Sequence, residues 1–178
     1  MKKYLFVLLM AMFAAGPAWA DSVNGPGNLE WDDPLTWGSG TVPDIGTDIW
    51  YNVSDDNQTT IHVRDGVDAV CNHLYMSNGG NSNEEVIVYE GGTLTIDKYS
   101  WLGRWGDNAG NHTNHDLKIF GGEVTINNAN GDTYGLRVPE PNKGGSWDND
   151  LVIDGGSLEI LNGGGIILGN DAQNLKES

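Results

Sequence analysis

Three stretches of this sequence share one form: Ile87-Val88-Tyr89-Glu90-Gly91-Gly92-Thr93-Leu94-Thr95-Ile96, Leu117-Lys118-Ile119-Phe120-Gly121-Gly122-Glu123-Val124-Thr125-Ile126 and Leu151-Val152-Ile153-Asp154-Gly155-Gly156-Ser157-Leu158-Glu159-Ile160. Each reads apolar, x, apolar, x, Gly, Gly, x, apolar, x, apolar. The second glycines fall at 92, 122 and 156, a period of 30 and then 34 residues. A short third element follows each copy: Trp101-Leu102-Gly103, Gly135-Leu136-Arg137 and Ile167-Leu168-Gly169. A weaker copy precedes them, Ile61-His62-Val63-Arg64-Asp65-Gly66, with Val70 and Leu74 to Met76 behind it.

Two-residue alternation on both sides of the Gly pair reads as two short strands, with Ile87, Tyr89, Leu94 and Ile96 expected on one face. The Gly pair interrupts the alternation where a side chain would obstruct a bend, so Gly91, Gly92, Gly121, Gly122, Gly155 and Gly156 are expected to form the corners. Three short strands per period, joined by Asn/Gly/Asp-rich loops, are what one coil of a parallel β-solenoid needs. Stacked coils then place Leu94 over Val124 over Leu158, and Ile96 over Ile126 over Ile160. A single coil buries too little to offset the ordering of its own chain, so stacking is obligatory. The competing fold is an antiparallel sandwich of lectin type, but its hairpins do not require Gly-Gly at one phase in every copy. The reading is an all-β protein, a right-handed parallel β-helix of about four short coils.

Composition agrees. Gly makes up 26 of 178 residues, and 19 Asn and 17 Asp add to the turn-forming share. No window after residue 20 carries a helical apolar stripe, which excludes a helix bundle, a coiled coil and a membrane-spanning helix. Disorder is excluded by the grouping of apolar residues into alternating runs.

Residues 1–20 carry Lys2 and Lys3, an apolar run from Tyr4 to Ala15, Gly16-Pro17 and then Ala18-Trp19-Ala20. This is the form of a secretory signal peptide, the apolar run being shorter than a spanning helix needs. Cleavage after Ala20 would leave 7 basic and 25 acidic residues, a net charge of −18. That sign repels phosphate backbones and anionic lipid, so nucleic acid is not an expected partner. Cys71 stands alone, so no intramolecular disulfide forms, and it is expected to be a small buried apolar residue. The domain reading is a signal peptide over 1–20, a cap segment over 21–58 and solenoid repeats over 59–178, with the repeat truncated at its carboxyl end. Residues 170–178 offer no cap, so continuation of the same chain or another subunit is expected there.

The segment before the repeats holds Trp31, Pro34, Trp37, Gly40, Val42-Pro43, Gly46 and Asp48, followed by an apolar strand and Gly-Gly-x-apolar-Thr-apolar repeats. This resembles the N-terminal region of secreted bacterial β-helix repeat proteins, the autotransporter-passenger-like and sorting-signal-bearing surface proteins. The resemblance covers residues 29–169 and implies an architecture, not an activity. It also implies that the Trp/Pro segment closes the first coil, with Trp31, Pro34, Trp37 and Pro43 as cap residues. The physics concurs: an open solenoid end exposes unpaired strand groups and an apolar cross-section. A second reading gives these indoles to sugar rings.

β-Helix enzymes that cut polysaccharides need clustered carboxylates, usually with a nearby Arg or Lys. The columns beside the Gly pairs read Glu90, Phe120, Asp154, then Thr93, Glu123, Ser157, then Thr95, Thr125, Glu159, and none holds two adjacent carboxylates. Trp101, Trp105 and Trp147, in or beside loops, are the candidates for glycan contact, with packing on the outer wall as the alternative. Calcium is the one cofactor that the loops suggest, at Asp55-Asp56-Asn57, at Asp107-Asn108 or at Asp148-Asn149-Asp150, with Asp107, Asp148 and Asp150 the leading ligands. Turn residues bonding their own backbone explain the same clusters. His112 and His115, with no third His or Cys nearby, read as solvated loop histidines rather than a metal site. Unequal periods and interrupted Thr columns speak against an ice-binding face. The expected function is that of a secreted or cell-surface structural or adhesive protein, non-catalytic, whose loops contact a polysaccharide or a neighbouring surface protein. The alternative is a carbohydrate-active β-helix enzyme, a polysaccharide lyase or glycoside hydrolase, or an inactive glycan-binding relative.

Overall fold

The computed structural model describes residues 20–51, 58–76, 82–103, 112–138, 146–147 and 149–168. Residues 1–19, the acidic run 55–57, Trp105, Asp107, Asn108, Asp148 and the tail 169–178 lie outside the described residues. The strands are, in chain order, β1 (Ala20–Ser22), β2 (Gly27–Glu30), β3 (Asp48–Tyr51), β4 (Gln58–Val63), β5 (Asp68–Cys71), β6 (His73–Met76), β7 (Ser82–Tyr89) and β8 (Thr93–Ile96). They continue as β9 (Ser100–Leu102), β10 (His112–Phe120), β11 (Glu123–Ile126), β12 (Tyr134–Val138), β13 (Ser146–Trp147), β14 (Leu151–Asp154), β15 (Ser157–Ile160) and β16 (Gly165–Leu168).

These strands form three parallel sheets that the chain visits in rotation, the organisation of a β-solenoid. One sheet runs β1-β3-β6-β9-β12-β16, a second runs β2-β4-β7-β10 with β13 and β14 on its far edge, and a third runs β5-β8-β11-β15. The columns that the Gly-Gly phase predicts are present: Leu94 pairs with Val124 and Val124 with Leu158, while Ile96 pairs with Ile126 and Ile126 with Ile160. Ala69 and Cys71 extend them by one rung. Cys71 is fully buried, and burial pushes its thiol well above the ordinary range.

At the corner the two glycines do different jobs. Gly91, Gly121 and Gly155 sit at φ near +78°, +80° and +73°, where an L side chain is strained. Gly122 instead lies against the preceding rung: a Cβ there would stand 2.5 Å from the Tyr89 carbonyl oxygen and 2.6 Å from Val88 Cγ1. A Cβ on Gly92 or Gly156 would likewise meet backbone oxygens, at 2.7 and 2.5 Å. Gly122→Ala is therefore expected to lower stability by about 1–3 kcal/mol through overpacking. Urea unfolding measures it, and an unchanged midpoint would show that the corner can open without cost.

The first strand of the β7–β8 repeat corrects the sequence reading, whereas Leu117 and Ile119 in the next copy lie inward as expected. Val86 and Val88, not Ile87 and Tyr89, enter the core, opposite Leu117 and Ile119. Thr93 nevertheless stays opposite Glu123, so the corner of the β7–β8 repeat carries one residue more than the next. Ungapped superposition on the glycines hides that insertion, and Tyr89, not Glu90, faces Phe120. The third strand shifts likewise: Val138 is opposite Leu168, and Leu136 is opposite Ser100, so Leu102, Leu136 and Leu168 do not form one column.

The cap segment is itself threaded into the sheets, since β2 pairs with β4 and β3 with β6. A 3-10 turn over Pro34–Thr36 stands between β2 and β3, with Asp33 accepting from the Leu35 amide at its start. Trp31 and Trp37 are buried in the core cluster, edge to face with centroids 5.0 Å apart, and Pro43 is buried too, while Pro34 is exposed. At the other end the inward columns lose their cover. Ile153 is 47% exposed, Ile166 45% and Leu168 68%, and among the described residues no strand pairs with the outer edges of β14, β15 and β16.

Candidate functional site

Alternation along β3, β6, β9 and β12 sends Ile49, Leu74, Met76, Leu102, Leu136 and Val138 inward. The intervening residues line up outside in two columns. Trp50 is opposite Tyr75, Tyr75 opposite Trp101, and Trp101 opposite Arg137. Beside it Asp48 is opposite His73, and Tyr99 comes next. The parallel rung spacing of ~4.8 Å is close to a ring-stacking distance, so aromatic residues repeated at one register position must stack.

The geometry follows. Trp50 and Tyr75 stack at 4.5 Å with an interplanar angle of 28°, and His73 stacks on Tyr75 at 5.2 Å and 20°. Tyr99 meets His73 and Tyr75 edge-on, at 4.5 and 5.7 Å. The Tyr75 hydroxyl donates to that of Tyr99 at 3.1 Å. Asp48 anchors the polar side: its Oδ1 lies 2.7 Å from His73 Nδ1 and accepts from Asn72 Nδ2 at 2.6 Å. Arg137 closes the array over the Trp101 ring at 4.8 Å, with Tyr134 and Tyr99 further round it. Tyr75 and His73 are buried, whereas Trp50, Tyr99, Trp101, Tyr134 and Arg137 are partly exposed. The face is thus a rigid ledge of rings bordered by hydrogen-bonding groups.

A second outer face, on β2, β4, β7 and β10, carries a polar network. Glu85 and Asp116 are neighbours in register, a pair of adjacent carboxylates away from the columns beside the Gly pairs. Lys118 ties them, bonding Glu85 and reaching Asp116 at 2.8 Å. Burial raises the Asp116 carboxyl above its ordinary range, against the pull of Lys118. On Lys118, burial works downward, but the hydrogen bonds to Asp116 and Glu85 outweigh it and hold the ammonium above its ordinary range. The other Glu85 oxygen accepts from Thr60 at 3.0 Å and Gln58 at 3.3 Å. Beside it a groove of about 310 Å3 is lined by Asn28, Gln58, Thr60, His62, Glu85 and Ile87 among others. Both Glu85 oxygens are already engaged and the residue is buried, so the carboxylate ties neighbouring strands together in this arrangement.

The interior holds a third group. Thr59, Glu84 and His115 occupy one inward column of the same sheet, and all three are buried. His115 is therefore no solvated loop residue: it lies within β10, its Nδ1 3.0 Å from Asn149 Oδ1 and its Nε2 3.6 Å from Glu84. The Tyr51 hydroxyl donates to the Thr59 carbonyl at 2.6 Å, and burial raises that phenol far above its ordinary range.

Of the sequence candidates, Trp101 sits on strand β9 inside the aromatic ledge. Trp147 is placed on β13, paired through its backbone with Thr113. Trp105, Asp107 and Asp148 lie outside the described residues. Asp150 is exposed, and its amide donates to Asp116 Oδ1 at 3.0 Å. Among the described residues no group of three or more His, Cys, Asp or Glu side chains could hold a metal ion. Sequence reasoning missed Trp50, Tyr75, Tyr99, Tyr134 and Arg137. The signal was there, an aromatic at the outward position of successive third strands, but it needs the register to be read.

Comparison with known proteins gave no matching family model, no matching curated protein and no matching solved structure. The fold and the ledge define a class and no more: an all-β protein of three parallel sheets, consistent with a β-solenoid, that carries an aromatic outer face. Among the described residues no helix is long and apolar enough to cross a membrane.

Proposed function

We propose that this chain is a secreted or cell-surface β-helix protein, right-handed and of about four coils, whose structural or adhesive role includes glycan contact through its aromatic face. The observation that carries the reading is the pair of outward columns, Trp50-Tyr75-Trp101-Arg137 and Asp48-His73-Tyr99. Partly exposed rings held by a parallel sheet offer apolar surface to the faces of sugar rings at no ordering cost, while Tyr99, Asp48 and Arg137 offer partners to hydroxyls. Trp105 and Trp147 remain candidates for the same contact. Export rests on Lys2, Lys3, the apolar run and Ala18-Trp19-Ala20. The exposed Ile153, Ile166 and Leu168 support contact of that edge with another subunit.

A polysaccharide panel tests the reading. The protein is expected to be retained by at least one plant or algal polysaccharide without releasing new reducing ends or unsaturated products. Trp50→Ala and Trp101→Ala are each expected to weaken that retention about tenfold, with circular dichroism unchanged. Retention by none, or product formation, would overturn it. The enzyme alternative draws on Glu85, Asp116 and Lys118, and product formation lost in Glu85→Gln would establish it.

A further inference from the structure

Among the described residues the Arg137 guanidinium is held by aromatic rings. It lies 4.8 Å from the Trp101 ring centre, 5.6 Å from that of Tyr134 and 6.0 Å from that of Tyr99. Among the described residues no carboxylate pairs with it, and its Nε–H is closed off from solvent with no acceptor. The sheet-face cations elsewhere are taken: Arg64 grips Glu30, and Lys118 bridges Glu85 and Asp116. In a chain with 25 acidic residues against 9 basic ones, a guanidinium that no described carboxylate engages has its charge open to an outside partner.

The geometry points to a subsite for an anionic sugar at Arg137, a pyranose ring carrying a carboxylate or a sulfate ester, flanked by Trp101, Tyr99 and Tyr134. This rests on the glycan-contact reading and names the ligand class for it. The chemistry is specific. A guanidinium presents a planar fork of donors that matches a carboxylate or sulfate oxygen pair, and it stacks on an aromatic face while doing so. Three rings around it exclude water from the contact, which strengthens the charge-assisted bond. The partly exposed edges of these rings offer apolar contact to the sugar that carries the anion. The acidic remainder of the chain repels a polyanion at long range, but that repulsion is screened beyond ~8 Å at physiological ionic strength and leaves the direct contact to decide selectivity.

Matched glycan pairs read this directly. Polygalacturonate is compared with its methyl ester, and a sulfated galactan with its unsulfated form, by titration calorimetry at physiological salt. The protein is expected to prefer the acid form of one pair by about tenfold or more, and which pair responds separates carboxylate from sulfate. Arg137→Gln is expected to abolish the preference by weakening only the anionic partner, and Arg137→Lys to restore part of it. Equal affinity within both pairs would overturn the anionic subsite and leave glycan contact standing. Binding to none of the four would overturn both. Should Arg137→Gln fail to fold, the preference of the unmutated protein and the Arg137→Lys variant still decide the matter.

Discussion

Trp37→Ala is expected to lower the unfolding free energy by about 3–5 kcal/mol, among the largest effects available to a single substitution in this chain. The indole is fully buried. It packs edge to face on Trp31, and its Nε1 donates 2.8 Å to the Trp31 carbonyl oxygen, a bond buried from solvent. Truncation therefore does two things. It empties the space of a bicyclic ring where the first rungs meet the core, and it orphans a carbonyl that, among the described residues, the indole alone is seen to satisfy. Neighbouring backbone offers little relaxation, because Asn24 pins the segment: its amide donates to Thr36 O at 2.8 Å and its Nδ2 to Trp37 O at 2.9 Å. Trp37→Phe keeps most of the volume and loses the bond, so it is expected to recover more than half of the loss. Leu35, two residues away and 80% exposed, is the control: Leu35→Ala should move stability by no more than ~0.5 kcal/mol. Urea unfolding with a common m-value measures all three. A Trp37→Ala loss no larger than that of Leu35→Ala would remove this segment from the stabilising core.

The columns through Leu94, Val124 and Leu158 were readable in the sequence because Thr, Glu and Ser flank them, so only one phase of alternation buries apolar side chains. Val86-Ile87-Val88 carries no such contrast. All three are apolar and β-branched, either phase satisfies the pattern, and the extra corner residue decides between them. Tyr89 misled for the same reason: it counts as apolar yet lies outside, against Phe120 and under Arg64. The ledge was invisible because its members are separated by whole repeats of unequal length, and only paired rungs bring Trp50, Tyr75 and Trp101 together. His115 was misread for an opposite reason. Glu84 and His115 look like outward residues until a partner inside the coil is known, and Asn149, more than thirty residues later in the chain, supplies it.

That buried histidine sets the second large effect, a loss of stability on acidification. Burial pushes the His115 imidazolium down to about 4, although the hydrogen bond with Asn149 acts in the other direction. In the unfolded chain the same ring titrates near ~6.5. Between these values the unfolded state binds a proton that the folded state refuses, so stability falls as pH falls through that window and is complete above it. At 1.36 kcal/mol per unit the fall amounts to about 3 kcal/mol by pH 4. Two other groups titrate nearby. His62, lowered by burial and then by Arg64, adds in the same direction, whereas Asp116, raised by burial, favours the folded state as pH falls. The comparison with His115→Gln removes both, since that variant keeps them and retains a donor for Asn149 but cannot take up the proton. Unfolding at pH 7 and pH 4.5 is expected to show a drop in the native chain that exceeds the drop in His115→Gln by about 2–3 kcal/mol. Glu84 gives the sign its meaning. Its carboxyl oxygen is 3.6 Å from His115 Nε2 with both side chains fully buried, and if that carboxylate held the ring as an imidazolium, the native chain would lose less than the variant, reversing the difference.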